Sequence, residues 1–316
     1  MYAWGDDRPY HSYAAYCRRT FGRPMLKLSV DGGFTCPNRD GRVGRGGCSF
    51  CLNEAFVPRY CNARLGVRRQ LEEAVAFHRR RIGVRTGFLA YFQAYSSTYA
   101  PLDRLRTLYE EALSVPRVEG IVVATRPDCV DDAKLDYLAE LARRVYVCVE
   151  FGIESTDDDV LRAVGRGHDF ATACRAVEAA ARRGIAVGGH LLLGLPGQNA
   201  AALLDGMRRV AALPLTTVKF HQLQLLEGTR MAALHASCPE RFPCWTPDEY
   251  VDLVAESLRR LSAGTAVERI VSRTPPRFRS GSAWGGLDSG AVWRLLEKRL
   301  VEKHAHQGYF FVPLSR

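Results

Sequence analysis

The sequence predicts an α/β fold built on parallel strands, and two observations carry this prediction. Short apolar runs of strand length alternate with amphipathic patterns of helix length about six times along the chain. The length of 316 residues suits one large barrel or two ordinary domains. Strands that return through helices run parallel, so their carboxyl ends share one edge, where ligands bind. The alternation alone fits both a barrel and a doubly wound open sheet.

The predicted strands are runs rich in apolar, β-branched and aromatic residues. They cover residues 25–30, 87–95, 120–125, 145–153, 186–195 and 217–226. The predicted helices carry apolar residues at helical spacing, and they cover residues 67–81, 102–113, 131–143, 170–183, 200–213 and 247–261. Residues that commonly flank helices support three of these boundaries, because Pro101 precedes one helix, Gly184 ends another and Thr246 is suited to cap a third.

The pattern changes after residue 265, where a short strand at 267–271, a Pro-containing loop and a helix over 288–303 follow one another. We therefore predict a core with its N-terminal lead over residues 1–265 and a small α+β extension over 266–316. No apolar run reaches the ~18 residues that a membrane span needs. The first ten residues are polar and charged, unlike a signal peptide, so we expect a cytoplasmic protein with no membrane partner.

The chain is basic, with 44 Lys and Arg against 34 Asp and Glu and a formal charge of +10. Such an excess favours a polyanionic partner. The arginines cluster around the cysteine-rich loop and near the chain end, at Arg18, Arg19, Arg23, Arg39, Arg42, Arg45, Arg68, Arg69, Arg79, Arg80, Arg81, Arg269, Arg273, Arg277 and Arg279. This distribution predicts positive charge around the active site.

Three cysteines, Cys36, Cys48 and Cys51, lie in one loop that is rich in glycine. Three cysteine ligands satisfy three irons of a [4Fe-4S] cube and leave the fourth iron open for a cofactor. The alternatives are a zinc site that adds Cys61 as its fourth ligand, and buried cysteines without a shared role. Disulfides are disfavoured, because a reducing compartment keeps thiols free.

Cys48-x-x-Cys51, with an aromatic residue before its second cysteine, resembles the cluster loop of the radical S-adenosylmethionine (radical SAM) superfamily. The run Val-Asp-Gly-Gly-Phe-Thr at residues 30–35, which leads into Cys36, is similar to the YhcC/YtqA-like branch, a relative of the radical SAM domain of the Elongator catalytic subunit. The resemblance covers about residues 20–265. It implies a partial (β/α)6 barrel, a [4Fe-4S] cluster on the three cysteines, and SAM bound to the fourth iron.

The resemblance also implies which residues contact SAM, and most of them follow the predicted strands. They are Phe50, Ser96, Ser97, Glu150, Gly152 and Gly194. The two serines stand where the superfamily usually carries Gly-Gly-Glu, so the usual carboxylate contact is absent from that run. Glu150 lies between apolar neighbours, and a buried carboxylate there requires a hydroxyl or amine partner.

The catalytic residues stay unknown at this point, with Arg126, Lys219 and His221 as candidates. Arg126 belongs to a Thr-Arg-Pro-Asp run similar to one in the Elongator relatives, where it is suited to clamp an anion or to form a structural ion pair with Asp128. Lys219 and His221 share one face of a strand. A histidine in such a position is also common as a core residue.

The resemblance implies an enzyme that reductively cleaves SAM to a 5′-deoxyadenosyl radical. It further suggests that the substrate is the side chain of a tRNA wobble uridine and that the electron donor is a small protein such as flavodoxin or ferredoxin. Two alternatives stay open: a radical SAM enzyme that acts on a small metabolite or peptide, and a non-catalytic RNA-binding protein stabilised by zinc.

Overall fold

The computed structural model describes residues 1–80, 82–272, 274–280, 284 and 287–312. Its centre is a seven-stranded sheet in which every neighbouring pair is parallel and the strands follow chain order. The strands are β1 (Met25–Val30), β2 (Gly87–Phe92), β3 (Val118–Thr125), β4 (Tyr146–Glu154), β5 (Ala186–Leu193), β6 (Thr217–Gln222) and β7 (Ala266–Arg269). The predicted α/β fold with a partial barrel is confirmed.

Ten α-helices lie in the described ranges, and most of them join consecutive strands. They are α1 (Tyr13–Phe21), α2 (Val67–His78), α3 (Leu102–Leu113), α4 (Asp132–Ala142), α5 (Asp158–Ala163), α6 (Phe170–Arg182), α7 (Ala200–Ala211), α8 (Arg230–Ser237), α9 (Pro247–Arg260) and α10 (Ser289–Glu302). Helices α1, α5 and α8, which have nine, six and eight residues, were not predicted from the sequence. Segments this short complete too few turns for a clear apolar period.

The strands are buried on both faces, which explains their nearly continuous apolar sequences. In β3, Ile121 and Val123 pack against the outer helices, whereas Val122 and Ala124 belong to a separate cluster inside the barrel. Helices therefore cover the outer face of the sheet. The inner face surrounds the space into which polar side chains project.

The short strand predicted after residue 265 is β7, and it pairs with β6 as the seventh strand of the same sheet. The barrel therefore has one strand more than the six predicted. The N-terminal lead covers the free edge of β7, where Val267 N donates to the carbonyl oxygen of His11 at 2.7 Å. Helix α1 contacts both β1 and β7, so it lies at the gap between the two edge strands. The division into domains at residue 265 stays a prediction.

Several strands end earlier than predicted, and the difference positions the site. Strand β2 ends at Phe92, and Tyr95 then takes a left-handed conformation with φ 58°. Strand β6 ends at Gln222, so Gln224 lies in the following loop. No helix in the described ranges is long and apolar enough to cross a membrane.

Candidate active site

An open cleft with a volume of about 260 Å³ lies at the carboxyl ends of the strands. Cys36, Cys48 and Cys51 all line it, together with residues from the ends of β2 to β6. Cys61, the fourth cysteine of the zinc alternative, does not line the cleft, and its Sγ donates to the carbonyl oxygen of Ser29 at 3.1 Å. The structure therefore brings together three cysteines and leaves Cys61 on the β1 backbone.

The cysteine loop is folded around Asn38. Gly47 has φ 83°, and its N–H donates to the carbonyl oxygen of Asn38 at 2.8 Å. A Cβ at Gly44 would lie only 2.1 Å from Asn38 Oδ1, so this position has no room for a side chain. Asn38 Nδ2 in turn donates to Cys48 Sγ at 3.3 Å. Two glycines thus allow a compact loop that places an amide donor on a cysteine sulfur.

Arg166 provides a second donor to the same sulfur, since its Nη1 lies 3.5 Å from Cys48 Sγ. Its Nη2 donates to the carbonyl oxygen of Gly152 at 2.8 Å and lies 3.7 Å from a carboxylate oxygen of Glu154. A Cβ at Gly152 would come within 2.5 Å of this Nη2. The glycine therefore makes room for Arg166, and hydrogen-bond donors around a sulfur stabilise a metal-bound thiolate.

The three cysteine thiols of the cleft are suited to bind a metal group. Burial raises the pKa of Cys51 to about 11, and the neighbouring Cys48 and Cys36 add to the shift, so a metal must supply the positive charge that ionises it. Zinc gathers four ligands around one ion, at Zn–S distances of about 2.3 Å. Among the described residues, the cysteines that line the cleft are Cys36, Cys48 and Cys51. Three cysteines around one cleft fit a cube in which each thiolate binds a different iron.

Phe50, Ser96 and Gly152 line the cleft as well, beside the three cysteines. Ser96 Oγ is buried and has no hydrogen-bond partner among the described residues, so it is available to a ligand. Ser97, in contrast, does not line the cleft; it is fully buried, and its hydroxyl donates to the carbonyl oxygen of Ala94 at 3.5 Å. Only the first of the two predicted serines faces the site.

Gly194 takes a conformation that few other residues adopt, with φ 103°, and its N–H donates to Gln198 Oε1 at 2.8 Å. It lines a second cavity beside the cleft, not the cleft itself. Its predicted contact with SAM stays a prediction.

Four charged side chains form a buried cluster at the base of the cleft, and we call them the floor quartet: Lys27, Glu150, Lys219 and Glu268. Glu150, which was predicted to contact SAM, lines the cleft, and the other three lie behind it. Glu150 accepts from Lys27 and from Lys219, each at 2.6 Å. Glu268 lies 2.5 Å from Lys27 Nζ and 3.1 Å from Lys219 Nζ. Two ammonium groups thus face two carboxylates, and the amine partner expected for Glu150 is present twice.

The floor quartet shifts the pKa values of its members. Burial alone would raise the pKa of Glu150, but Lys219, Lys27 and His190 outweigh burial and hold the pKa well below its ordinary value. Burial lowers the pKa of Lys219 although both carboxylates oppose the shift. Because Lys219 is almost fully buried and also donates to Tyr91 Oη at 3.2 Å, it supports the floor and does not line the cleft.

The other two catalytic candidates, Arg126 and His221, differ in whether their polar atoms already have hydrogen-bond partners. Arg126 lines the cleft, but Asp128 binds its guanidinium through two hydrogen bonds of 2.9 and 2.7 Å, and a third goes to the carbonyl oxygen of Arg166. His221 also lines the cleft, and its buried Nε2 has no partner in the described part of the chain. Burial lowers the pKa of His221 well below its ordinary value, and His190 adds to the shift, so the ring is neutral.

Four residues of the site were not predicted from the sequence: Lys27, Asn38, Arg166 and Glu268. A signal was present for the first and the last, since a charged residue inside an apolar strand is costly unless it is paired. Arg166 lies in a Gly-Arg-Gly turn between α5 and α6, away from the strand ends where ligand-binding residues were expected. No local pattern distinguishes it from other loop arginines.

The clustered arginines separate into two groups. Arg39 and Arg269 line the cleft, and Arg279 lines the second cavity. Others form ion pairs away from the site, such as Arg23 with Glu119 and Arg69 with Glu73. Arg81 and Arg273 fall outside the described residues. Only part of the predicted positive charge therefore lies at the cleft.

Two family matches together span most of the chain. Residues 38–210 match the radical SAM superfamily, and residues 215–302 match the radical SAM C-terminal domain. The first match contains Cys48 and Cys51 and extends from the cysteine loop into α7.

Curated relatives agree with this match. Protein YtqA of Bacillus subtilis is 33% identical over 314 residues, which are 98% of this chain and 95% of YtqA. Protein YhcC of Escherichia coli K12 is 40% identical over 215 residues, which are 68% of each chain. Elongator complex protein 3 of Schizosaccharomyces pombe is 28% identical over 191 residues, but these are 56% of this chain and only 32% of that protein.

The fold is shared with a solved structure, that of Elp3 from the archaeon Methanocaldococcus infernus. The TM-score is 0.68 at 13% identity, and the similarity covers 90% of this chain and 64% of the archaeal chain. This likeness concerns the fold, whereas the family matches and the close relatives concern the sequence. Together they show that the chain belongs to the radical SAM superfamily of enzymes.

Proposed function

We propose that this chain binds a [4Fe-4S] cluster through Cys36, Cys48 and Cys51 and cleaves SAM reductively. The cluster, when bound, supplies the electron that splits SAM into methionine and a 5′-deoxyadenosyl radical. One observation carries the proposal: three cysteines of one loop line a single cleft, while Cys61 is bonded elsewhere. Such a set leaves one iron without a protein ligand.

Other residues of the chain position the ligands of this site. Asn38 and Arg166 hold Cys48 through hydrogen bonds to its sulfur. Ser96 Oγ and His221 Nε2 are buried at the cleft and have no hydrogen-bond partners among the described residues, so they are suited to bind the polar groups of SAM or of the substrate. The floor quartet places one of its paired carboxylates, that of Glu150, at the cleft, where it is suited to accept a hydrogen bond from a ligand.

We propose further that the substrate is the side chain of a wobble uridine in tRNA. The similarity to Elongator complex protein 3 and the formal charge of +10 support this substrate. Arg39 and Arg269 at the cleft, with the exposed Arg277 nearby in sequence, are suited to hold an RNA backbone.

The electron donor is proposed to be a small acidic protein such as flavodoxin or ferredoxin. The exposed Arg42 and Arg45 of the cysteine loop are suited to attract it.

A salt series tests the RNA proposal. Each phosphate that an arginine neutralises releases condensed counterion, so tRNA affinity should fall steeply as salt rises. Replacing both Arg277 and Arg279 with alanine should weaken binding. It should also make the negative slope of log K against log salt concentration shallower by about 1.4. The measurement is filter binding of tRNA to the anaerobically prepared holoprotein at several salt concentrations.

Arg143→Ala is the matched control. This exposed arginine follows α4 at the opposite end of the barrel, where the strands begin, so its loss should leave both affinity and slope unchanged. If the double variant and the control behave alike, residues 277 and 279 do not belong to the RNA site. If wild-type protein binds no tRNA at low salt, the proposed substrate is wrong.

A further inference from the structure

The second cavity is open to solvent, has an aromatic lining and has a volume of about 350 Å³. It adjoins the cysteine cleft, because Gln222, Leu223 and Gln224 line both. Its aromatic side chains include Phe242, Trp245, Tyr250 and Trp284, and His235 also lines it. An aromatic space of this size directly beside the proposed reaction site is positioned to hold a part of the substrate that does not itself react.

The aromatic walls are fixed by contacts of their own. Trp284 Nε1 donates to the carbonyl oxygen of Trp245 at 3.1 Å, and its ring lies 4.8 Å from that of Tyr250. The hydroxyl of Tyr250 donates to the carbonyl oxygen of Ile270 at 2.5 Å. Tyr250 is almost fully buried and supports the wall from behind, whereas Trp245 and Trp284 are partly exposed and can offer ring surface to a ligand.

A cationic side chain stands at the same cavity. Arg279 lines it. The backbone at Arg279 forms a short antiparallel pairing with the loop that follows β6, which fixes the position of Arg279. In this pairing Ser280 N donates to the carbonyl oxygen of Leu225 at 2.8 Å and Glu227 N donates to that of Phe278 at 2.9 Å. Arg279 is partly exposed at this cavity, so its guanidinium can reach an anion bound there.

We infer that this cavity binds the base of the nucleotide next to the modified one, with Arg279 at the adjoining phosphate. Unpaired RNA bases stack on aromatic side chains, and every base offers a planar face. A nucleotide offers a flat base, which would stack on the aromatic walls, and a phosphate, which would pair with the guanidinium of Arg279. The inference rests on the proposed RNA substrate, and it adds a specific pocket for a second nucleotide.

The test uses the holoprotein and an anticodon stem-loop RNA with 2-aminopurine beside the wobble position, on the 5′ side in one RNA and on the 3′ side in another. Stacking quenches this fluorescent base, so one of the two RNAs should lose fluorescence on binding. Trp245→Leu should abolish that quenching and weaken binding about tenfold, the order of effect that loss of a stacking aromatic produces. Trp245→Phe keeps an aromatic face and should retain the quenching.

Iron content and melting temperature verify that each variant is folded. A measurement without any variant gives independent evidence, since wild-type protein should bind an RNA that is abasic at the quenched position about tenfold more weakly. If wild-type protein binds both labelled RNAs without quenching, or if Trp245→Leu quenches as the wild type does, the pocket inference is overturned and the RNA proposal stands. Absence of any RNA binding at low salt overturns both.

Discussion

Each of the variants Cys36→Ala, Cys48→Ala and Cys51→Ala is expected to lose the iron–sulfur cluster, whereas Cys61→Ala keeps it. The first three residues line one cleft, and a cube with three protein ligands cannot spare one of them. Cys61 donates a hydrogen bond to the carbonyl oxygen of Ser29 and lies outside the cleft, so it contributes no ligand. The loss should be nearly complete, because two cysteines hold a cube poorly.

Iron and sulfide per chain, measured after anaerobic reconstitution, give the result directly, and the visible absorbance of the cluster gives a second reading. Zinc should be determined on the same samples. Equal loss of metal in all four variants, with zinc as the metal in the wild type, would contradict the three-cysteine cluster and favour the four-ligand site.

The variant Glu150→Gln is expected to destabilise the fold by about 3–5 kcal/mol, the usual cost of removing one partner from a buried ion pair. Glu150 is fully buried and accepts hydrogen bonds from both lysines of the floor quartet. Glutamine has almost the same volume but no charge, so two ammonium groups would then share the single carboxylate of Glu268. The midpoint of urea unfolding under anaerobic conditions measures the loss.

Two further variants show whether charge causes the effect. Adding Lys219→Met to Glu150→Gln removes the excess positive charge and leaves the pair of Lys27 and Glu268, so most of the lost stability should return. Glu178→Gln removes a carboxylate from an exposed pair with Arg182 and should change stability by less than about 0.5 kcal/mol. If Glu150→Gln costs no more than this control, the floor quartet does not stabilise the barrel.

The fold was predictable where local sequence decides it. Parallel strands buried on both faces produce long apolar runs, so β3 and β4 were evident, while closure into a partial barrel came only from the family resemblance. Helix α1 was not predicted, because its polar, Tyr-rich sequence shows no clear apolar stripe. Its burial depends on the edge strands β1 and β7, which are far apart in sequence.

The candidate site, like the fold, was predictable only where residues close together in the sequence determine it. The cysteines lie within one loop, so their spacing alone indicated a shared ligand. The pairing of Lys27 with Glu268 joins positions 241 residues apart and depends on strand order and register, which no local pattern encodes. Ser96 lines the cleft and Ser97 does not, since Ser97 lies in the turn that follows β2, where Tyr99 N donates to the carbonyl oxygen of Ser96 at 2.9 Å. A resemblance to a motif does not resolve that difference.

The most direct test of the central claim is SAM cleavage by the reconstituted protein. The wild-type holoprotein, reduced anaerobically and supplied with SAM, should form 5′-deoxyadenosine and methionine in equal amounts, detected by liquid chromatography and mass spectrometry. Cys51→Ala, treated in the same way, should form neither product. A wild-type sample that carries the full complement of iron and sulfide, is reduced, and still leaves SAM intact would contradict the account.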